Sequence, residues 1–329
     1  MPPDIQTIST PTPPSDSAAI QNPSTKELAG QSGEKSAGQA AELPANAISF
    51  IRPSVGWQPI DFGEIWRFRE LFWIFAERDV KVRYKQTILG IGWALIQPIA
   101  FTMVGLIVFN KIAGAGTDNI TPAFLFYLVS QLPWMLFNTG LQTSAMSLVG
   151  AQNMIKKVYF PRLVLPVSSV MVSVVDFFIQ LGIVVLVLIG IAIVPYVFTV
   201  GFTPFIPPWQ VVLLPLAALW AFVAALSIGL PLAALNVEYR DVRYVVPFVT
   251  QFMIFAAPVF WSVSQIPEVY LPLYALLPIA GPIDFFRWCV LGTPAHPTMW
   301  AVGLVSTIVT FVAGLFYFRK VEDKFADLV

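Results

Sequence analysis

Long apolar segments separated by short breaks dominate the sequence from residue 88 to residue 318. The hydrocarbon core of a bilayer is about 30 Å thick, so a transmembrane helix needs about 20 apolar residues. Six segments approach or exceed that length: residues 88–110, 123–149, 167–194, 209–236, 245–262 and 298–318. With 57% apolar and 12% charged residues, the chain falls outside the soluble globular class. The pattern predicts an all-α polytopic membrane protein with six transmembrane helices.

Lys and Arg residues in the breaks predict how these helices are oriented. Short loops that are rich in Lys and Arg stay on the cytoplasmic side of a membrane. The breaks on one side carry only Lys111 and Arg287. The breaks on the other side carry fourteen basic residues: Arg67, Arg69, Arg78, Lys81, Arg83, Lys85, Lys156, Lys157, Arg162, Arg240, Arg243, Arg319, Lys320 and Lys324. Both termini are therefore predicted to be cytoplasmic.

The first 58 residues differ in composition from the rest of the chain. They are rich in Pro, Ser, Ala, Gly and Gln and contain almost no aromatic residues. Such a segment cannot bury enough apolar surface to offset the entropy lost on ordering. Residues 1–58 are predicted to be a disordered cytoplasmic tail.

Residues 59–87 are predicted to form an amphipathic interfacial helix that ends in a basic elbow. On a helical projection, most aromatic and aliphatic side chains between Phe62 and Phe75 fall on one broad arc, and acidic side chains lie opposite. This arrangement is typical of a helix that lies in the headgroup region of a membrane. A helix packed on another soluble domain is the alternative.

The C-terminal part of this segment contains four basic residues: Arg78, Lys81, Arg83 and Lys85. A basic residue near a membrane surface attracts anionic headgroups by about 1 kcal/mol. The four cations fit two interpretations equally well. They either anchor the topology or bind the anionic headgroup of a substrate.

The break after the second segment indicates contact with a partner. Pro161 and Pro166 prevent a helix from running straight into the third segment. A short helix before them would lie across the membrane axis and expose Ile155, Val158, Tyr159 and Phe160 to the cytoplasm. A transporter driven by a separate cytoplasmic ATPase needs such a contact, whereas a channel does not.

The stretch between the fifth and sixth segments contains repeated prolines and two apolar runs, residues 269–277 and 279–291. Both runs are too short to span a bilayer. Short runs broken by proline are typical of re-entrant helices, which are tolerated where protein buries them or where they line a cavity. Asp284 and Arg287 are spaced for an i,i+3 pair, and a local salt bridge is the simpler interpretation of them.

Few ionisable residues lie inside the predicted spans. Asp176 is the one carboxylate well inside a span, with Gln180 one turn later on the same face. An intramembrane acid is a functional candidate, but without a second ionisable group at its depth it makes a poor proton relay. A structural hydrogen bond between helices is the preferred interpretation. A single Cys289 and a single His296 support no metal site, and no catalytic residue is predicted.

Three motifs together resemble a known family. They are ERDVKVRYKQTILGIGWALIQP at residues 77–98, KKVYFPRLVLP at 156–166 and NVEYRDVRYVVPFVTQFMIFAAPVFW at 236–261. In order and spacing they look like the permease subunits of ABC type-2 exporters of polysaccharides and polyol phosphates, of the O-antigen, capsule or teichoic-acid type. The resemblance covers roughly residues 60–329.

The resemblance implies a homodimer bound to two copies of a cytoplasmic ABC ATPase, which would bind MgATP. The complex would export a lipid-linked polysaccharide across the bacterial inner membrane. The loop after the second span would couple the permease to the ATPase through Lys156, Lys157, Phe160, Pro161 and Arg162. The basic run would then meet a lipid diphosphate through Arg78, Lys81, Arg83 and Lys85.

The same resemblance implies that the first and fifth spans line the channel and that the segment between spans five and six forms an outer gate. The channel-lining candidates are Trp93, Phe101, Phe248, Phe252 and Phe255, whose rings suit the CH faces of sugars. The gate candidates are Asp284, Phe285, Arg287 and Trp288. The long Pro-rich amino terminus departs from the shorter one of the family.

Three classes of function stay open from the sequence. The first is the polysaccharide export permease, and the second is an exporter of the same architecture that moves a small amphiphile or drug. The third, an intramembrane enzyme, would need paired acids or a metal cluster at the membrane face. The sequence has no GxxxxGK[ST] loop for nucleotide phosphates. We therefore expect ATP hydrolysis in a partner subunit, and we expect no cofactor in this chain and no nucleic-acid partner.

Overall fold

The structure is a computed structural model that describes residues 62–85, 92–114, 116–118, 120, 123–158, 160–198 and 207–322. Over these ranges the chain consists of helices joined by turns and short loops, and it contains no strand. The all-α fold class is therefore confirmed for the described residues. The predicted disordered tail, residues 1–58, lies outside them.

The α-helices are named in chain order. They are α1 (Phe62–Arg67), α2 (Arg69–Lys85), α3 (Gly92–Val104), α4 (Ala123–Gly150), α5 (Gln152–Ile155), α6 (Val164–Ser169), α7 (Met171–Phe198), α8 (Leu214–Glu238), α9 (Val242–Ala256), α10 (Leu271–Tyr274), α11 (Ala280–Leu291) and α12 (Pro297–Glu322). A π-helix, Gly105–Ile112, continues α3, and a 3-10 turn, Trp209–Leu213, leads into α8.

Four helical stretches among the described residues are long and apolar enough to cross a membrane. They are Leu95–Ile112, Val164–Ala192, Trp209–Glu238 and Pro297–Glu322. These stretches coincide with the first, third, fourth and sixth predicted spans. Together they make the chain a multi-pass membrane protein. The six-span count stays a prediction, because the remaining two segments form helices of a different character.

Helix α4 lies at the centre of the bundle, which explains why it is less apolar than α3, α7 and α8. It contacts α3, α6, α7, α8, α9 and α11. Over its 28 residues it buries polar side chains such as Gln131 and Ser144 completely. Protein surrounds these side chains, so the hydropathy of α4 is low for a membrane helix. Helix α9 has only 15 residues, which is short for a straight span.

Small residues bring α4, α8 and α12 close together. A Cβ atom on Gly229 of α8 would lie 2.8 Å from the side chain of Ser144 on α4. A Cβ atom on Gly314 of α12 would lie 2.9 Å from the carbonyl oxygen of Ser227 on α8. Close approach of backbones is how membrane helices gain packing energy, since lipid supplies no hydrophobic driving force between them.

The segment between α9 and α12 has two parts: residues 264–276 are largely exposed, whereas residues 278–291 are largely buried in the protein. Of the two short helices predicted there, the first is reduced to the single turn of α10, and the second is α11, which ends at Gly292 in a left-handed conformation (φ 67°). Helix α11 packs against α4, α8 and α12. Burial in protein is the condition under which a short helix is tolerated at membrane depth.

Candidate functional site

Most of the basic residues at the end of α2 form ion pairs with carboxylates of the same chain. Lys81 Nζ lies 2.5 Å from Glu77 Oε1, and both side chains are exposed. The hydrogen bond from Lys81, followed by its charge, lowers the pKa of the Glu77 carboxyl. Arg78 pairs with its neighbour Asp79 at 2.8 Å. Of the four predicted headgroup ligands, Lys85 is the one for which the described residues supply no carboxylate partner.

Asp176 anchors the C-terminal end of α2 to α7. Its Oδ2 lies 2.6 Å from Nη2 of Arg83, and its Oδ1 accepts a hydrogen bond from the hydroxyl of Tyr84. The Asp176 side chain is 6% exposed and that of Arg83 is 38% exposed. Burial, followed by the hydrogen bond to Asp176, raises the pKa of Tyr84, so the phenol stays a donor. The predicted hydrogen bond between helices is present, with Tyr84 as its donor, and Arg83 adds an ion pair to the same carboxylate.

The loop after α4 divides into an exposed part and a buried part. Lys156, Lys157 and Val158 are exposed to solvent. Phe160, which was predicted to face the cytoplasm, is 5% exposed. That prediction is wrong because Phe75 of α2 offers an apolar partner, and the two rings pack edge to face with centroids 5.6 Å apart.

The other two predicted coupling residues also face the protein. Pro161 is buried. The guanidinium of Arg162 donates to the carbonyl oxygen of Glu322, and its backbone N–H donates to Glu322 Oε1 at 3.3 Å. Arg162 thereby joins the loop to the C-terminal end of α12. The exposed surface of this loop is centred on Lys156, Lys157 and Val158.

Helix α9 carries an exposed aromatic face. Phe248, Phe252 and Phe255 are 62%, 59% and 57% exposed, whereas Thr250 and Ile254 on the other side of the helix are buried. Spacings of three and four residues place the three rings on one face. These residues were predicted to line a channel, and the structure leaves more than half of each side chain exposed, although the ring of Phe255 also has Phe109 and Phe260 as neighbours.

The first span meets this face at its π-helical end. Phe109 stacks on Phe260 with ring centroids 4.6 Å apart and lies 6.4 Å from Phe255. The remaining channel candidates, Trp93 and Phe101 on α3, are 52% and 37% exposed. All five candidates are thus accessible to a partner or a substrate.

Asp284 and Arg287 form the centre of a buried polar cluster. Arg287 is completely buried, its Nη2 lies 3.4 Å from Asp284 Oδ1, and its guanidinium lies 4.5 Å from the centroid of the Phe126 ring. Arg287 Nη1 donates to the carbonyl oxygens of Pro258 at 3.0 Å and Trp261 at 3.1 Å. The salt bridge considered from the sequence is present. Arg287 holds the loop after α9 in place, Asp284 pairs with Arg287, and both side chains are buried.

His296, which sequence reasoning set aside, and Trp300, which it did not consider, complete this cluster. Asp284 Oδ2 accepts a hydrogen bond from Trp300 Nε1 at 2.8 Å and lies 3.0 Å from His296 Nδ1. The pKa of His296 is raised, chiefly by this hydrogen bond to Asp284. The closeness of His296 to α11 in the sequence could have indicated this contact. From the sequence, His296 was considered only as a metal ligand.

The two aromatic gate candidates lie at the edge of the cluster. Phe285 and Trp288 are half-buried, and their ring centroids are 5.6 Å apart. Trp300 packs against both, at 5.2 Å from Phe285 and 5.0 Å from Trp288. Of the four predicted gate residues, these two rings are the ones that can contact something outside the chain.

Comparison with known proteins identifies a family and relatives of similar sequence. Residues 70–291 match the family described as ABC-2 type transporter. The O-antigen export system permease protein RfbA of Klebsiella pneumoniae is 26% identical over 265 residues, which are 79% of this chain and 95% of the relative. The protein of the same name from Myxococcus xanthus is 29% identical over 205 residues, 62% of this chain and 73% of the relative. The family match includes the loop after α4, the aromatic face of α9 and, of the buried polar cluster, Asp284 and Arg287.

Proposed function

The chain belongs to the ABC-2 type transporter family, and from this premise we propose that it exports a lipid-linked polysaccharide across the bacterial inner membrane. Members of this family are the membrane subunit of a transporter and not its ATPase. A partner ATPase, loaded with MgATP, supplies the energy. The relatives whose names refer to O-antigen export support a polysaccharide as the substrate.

The observation that carries the proposal is the aromatic face of α9. Three Phe rings on one face of this helix expose more than half of their surface, so the face is available to a second copy of the chain and to a substrate. Two copies of the chain, paired in a homodimer, would place two such faces opposite each other. Aromatic rings suit a sugar polymer because they pack against CH faces and form no hydrogen bonds that would hold it in place.

A six-span arrangement is part of the proposal. In it, α4 and α9 cross the membrane together with the four long apolar stretches, and both termini are cytoplasmic. The segment that contains α10 and α11 enters the membrane from the outer side and returns to it. The concentration of basic residues on the cytoplasmic side of this arrangement supports it.

Coupling to the ATPase is proposed to use the exposed part of the loop after α4. Lys156, Lys157 and Val158 offer two cations and an apolar side chain to a partner. Behind them, the contact between Phe160 and Phe75 transmits a displacement of the loop to α2. The ion pair between Arg83 and Asp176 passes it on to α7.

Export is tested by following lipid-linked polymer in cells that lack the chain. Polymer labelled with a radioactive sugar should accumulate on the cytoplasmic side, and the native chain should release it. A triple variant, Phe248→Ala, Phe252→Ala and Phe255→Ala, should restore export poorly. The matched control is Phe178→Ala, whose ring is 64% exposed on α7 and which should restore it fully.

Two results would count against the proposal. Export that is unaffected by loss of the chain would exclude this substrate. Loss of resistance to a small amphiphile, with normal polymer export, would favour the second class of function, an exporter of small amphiphiles or drugs. Equal export by the triple variant and the wild type would remove the α9 face from the pathway but leave the family assignment intact.

A further inference from the structure

An apolar crevice runs between α8, α11 and α12. Its volume is about 360 Å³, and its walls include Leu219, Val223, Phe285, Trp300 and Leu304. This volume falls within the range of about 300–1,000 Å³ that is usual for sites of small ligands. The exposed aromatic face of α9 takes no part in the crevice, and neither does the coupling loop.

The depth of the crevice places it among lipid tails. Both α8 and α12 belong to stretches that are long and apolar enough to cross a membrane. Along α12 the crevice extends from Trp300 to Ile308, which is about 12 Å at about 1.5 Å per residue. It begins within one turn of the first residue of α12, Pro297. It therefore occupies one half of a hydrocarbon core about 30 Å thick, the half next to the start of α12.

The walls of the crevice face outward from the bundle. Leu219 on α8 is 56% exposed and Leu304 on α12 is 46% exposed. Side chains with this exposure on two membrane-crossing helices meet the surrounding bilayer. An empty groove there would forfeit dispersion contacts along its whole lining.

The polar groups in the walls are already used inside the protein. Trp220 Nε1 donates to Thr307 Oγ1 at 3.0 Å, and the Thr307 hydroxyl donates to the carbonyl oxygen of Gly303 at 2.8 Å. Trp300 Nε1 donates to Asp284 at 2.8 Å. A polar ligand would gain no hydrogen bond from these groups, and it would lose those it makes with water. The crevice is therefore suited to an apolar chain.

We infer that this crevice binds one acyl chain of a membrane phospholipid. The chain lies along Leu219 and Val223, and the lipid headgroup lies beside Trp288 and Trp300. Indole rings favour this level of a membrane, where one edge meets hydrocarbon and the other meets the headgroups. The bound chain also packs on Phe285, so it supports α11 from the membrane side. The site requires membrane-crossing α8 and α12 and does not depend on the exported substrate.

Photochemical labelling tests the inference without ATP or substrate. The full chain is reconstituted in vesicles of phosphatidylethanolamine that contain a phospholipid with a diazirine midway along one acyl chain. Mass spectrometry of the irradiated protein should find Leu219, Val223 and Leu304 labelled several-fold more than Leu186, which is 70% exposed on α7. Labelling of these crevice residues at the level of Leu186 would overturn the inference.

A matched pair of variants gives a second test. Val223→Trp fills the crevice and should lower its labelling several-fold, whereas Val312→Trp, on α12 outside the crevice, should leave it unchanged. Val312 is 42% exposed, so the larger ring at that position points to lipid. Reconstituted amounts of both variants must match that of the wild type. Unchanged labelling of the crevice in Val223→Trp would contradict the site.

Other occupants give different results. A polyprenyl phosphate with the same diazirine should label the crevice less than the phospholipid does. Stronger labelling would show that the occupant is an isoprenoid and not an acyl chain, and it would overturn the inference. If a second copy of the chain covered the crevice, Leu304→Cys would form an intermolecular disulfide in the membrane. We expect no such disulfide, and its formation would overturn the inference.

Discussion

The guanidinium of Arg83 lies 2.6 Å from the carboxylate of Asp176, so the last turn of α2 is tied to the third span. The two partners differ in exposure, since Asp176 is almost completely buried and Arg83 is partly open to solvent. This difference makes the pair asymmetric. Removing the cation leaves a buried charge, whereas removing the anion leaves a cation that can turn towards water.

Replacing Arg83 with Gln should therefore lower the free energy of unfolding more than replacing Asp176 with Asn. Breaking a buried ion pair by removing one partner costs about 3–5 kcal/mol, and we expect the lower end of that range for Arg83→Gln because the pair is partly solvated. For Asp176→Asn a loss of about 1 kcal/mol is expected, as for exposed pairs. Unfolding of the purified protein in detergent micelles measures both values, and equal losses would contradict the asymmetry.

Substitutions at Phe160 and Val158, two residues apart, should differ in their effect on stability. Phe160→Ala removes a ring that is packed on Phe75, and such a change in a core costs about 3–5 kcal/mol. Val158→Asp changes a side chain that is 55% exposed and should leave stability within about 0.5 kcal/mol of the wild type.

The coupling of ATP hydrolysis to export should also distinguish Val158 from Phe160. Val158→Asp should reduce the export that ATP hydrolysis drives, because a charge would enter the apolar part of the contact with the ATPase. Protein amount in the membrane, unfolding and export per ATP hydrolysed are the measurements. A Phe160→Ala protein of native stability would show that the packing on Phe75 carries little energy.

Gly229 and Gly182 provide a matched comparison for close packing of helices. A methyl group at Gly229 would lie 2.8 Å from the side chain of Ser144, whereas nothing lies within 4 Å of a methyl group at Gly182. Gly229→Ala should destabilise the protein by about 1–3 kcal/mol, as overpacking does. Gly182→Ala should be neutral or stabilising by up to about 1 kcal/mol, since Ala favours the helix over Gly. Comparable effects in the two variants would refute this packing argument.

Stability should depend on pH through His296. Its pKa is raised above the ordinary value of 6.5, first by the hydrogen bond to Asp284; burial and Arg287 oppose the shift, and the charges of Asp284 and Asp118 add to it. A raised pKa means that the folded protein binds the proton more tightly than the unfolded chain does. The contribution of the imidazolium is thus fully present below about pH 6.5 and is lost as the pH rises through the raised pKa.

The measurement is thermal unfolding of the wild type and of His296→Gln between about pH 5.5 and pH 8.5. The wild type should lose its advantage over the variant as the pH rises, and the two proteins should converge at the alkaline end. A difference that stays constant over this range would assign His296 a packing role without titration.

Hydropathy and charge predict the positions of the helices here better than they predict the contacts between them. The apolar segments correspond to helices because a bilayer requires both length and internal hydrogen bonds. Whether a side chain meets lipid or protein depends on the neighbouring helix, which no local pattern contains. Phe160 illustrates this, because its partner Phe75 lies in a different motif. Helix α4 illustrates it again, since its polar residues lower its hydropathy although it is the centre of the bundle.

The candidate site also contains features that the sequence predicts and features that it does not. Exposure of Phe248, Phe252 and Phe255 agrees with their spacing on one helical face, which the sequence contains. The roles of His296 and Trp300 could not be predicted, because both depend on Asp284 being turned inward by the packing of α11. Buried polar clusters of this kind are three-dimensional, and their members are identified when hydrogen-bond partners are assigned.

The contacts of Arg287 impose an order on the folding of the protein during its synthesis. The carbonyl oxygens of Pro258 and Trp261 receive their hydrogen bonds from a side chain that follows them by 29 and 26 residues. A chain that emerges from its amino terminus therefore completes α9 before the donor for the next loop exists. Until residue 287 has been added and α11 has docked, these carbonyls need water or a chaperone, so a ribosome stalled before that point would leave α9 complete and the loop that follows it without its hydrogen-bond donor.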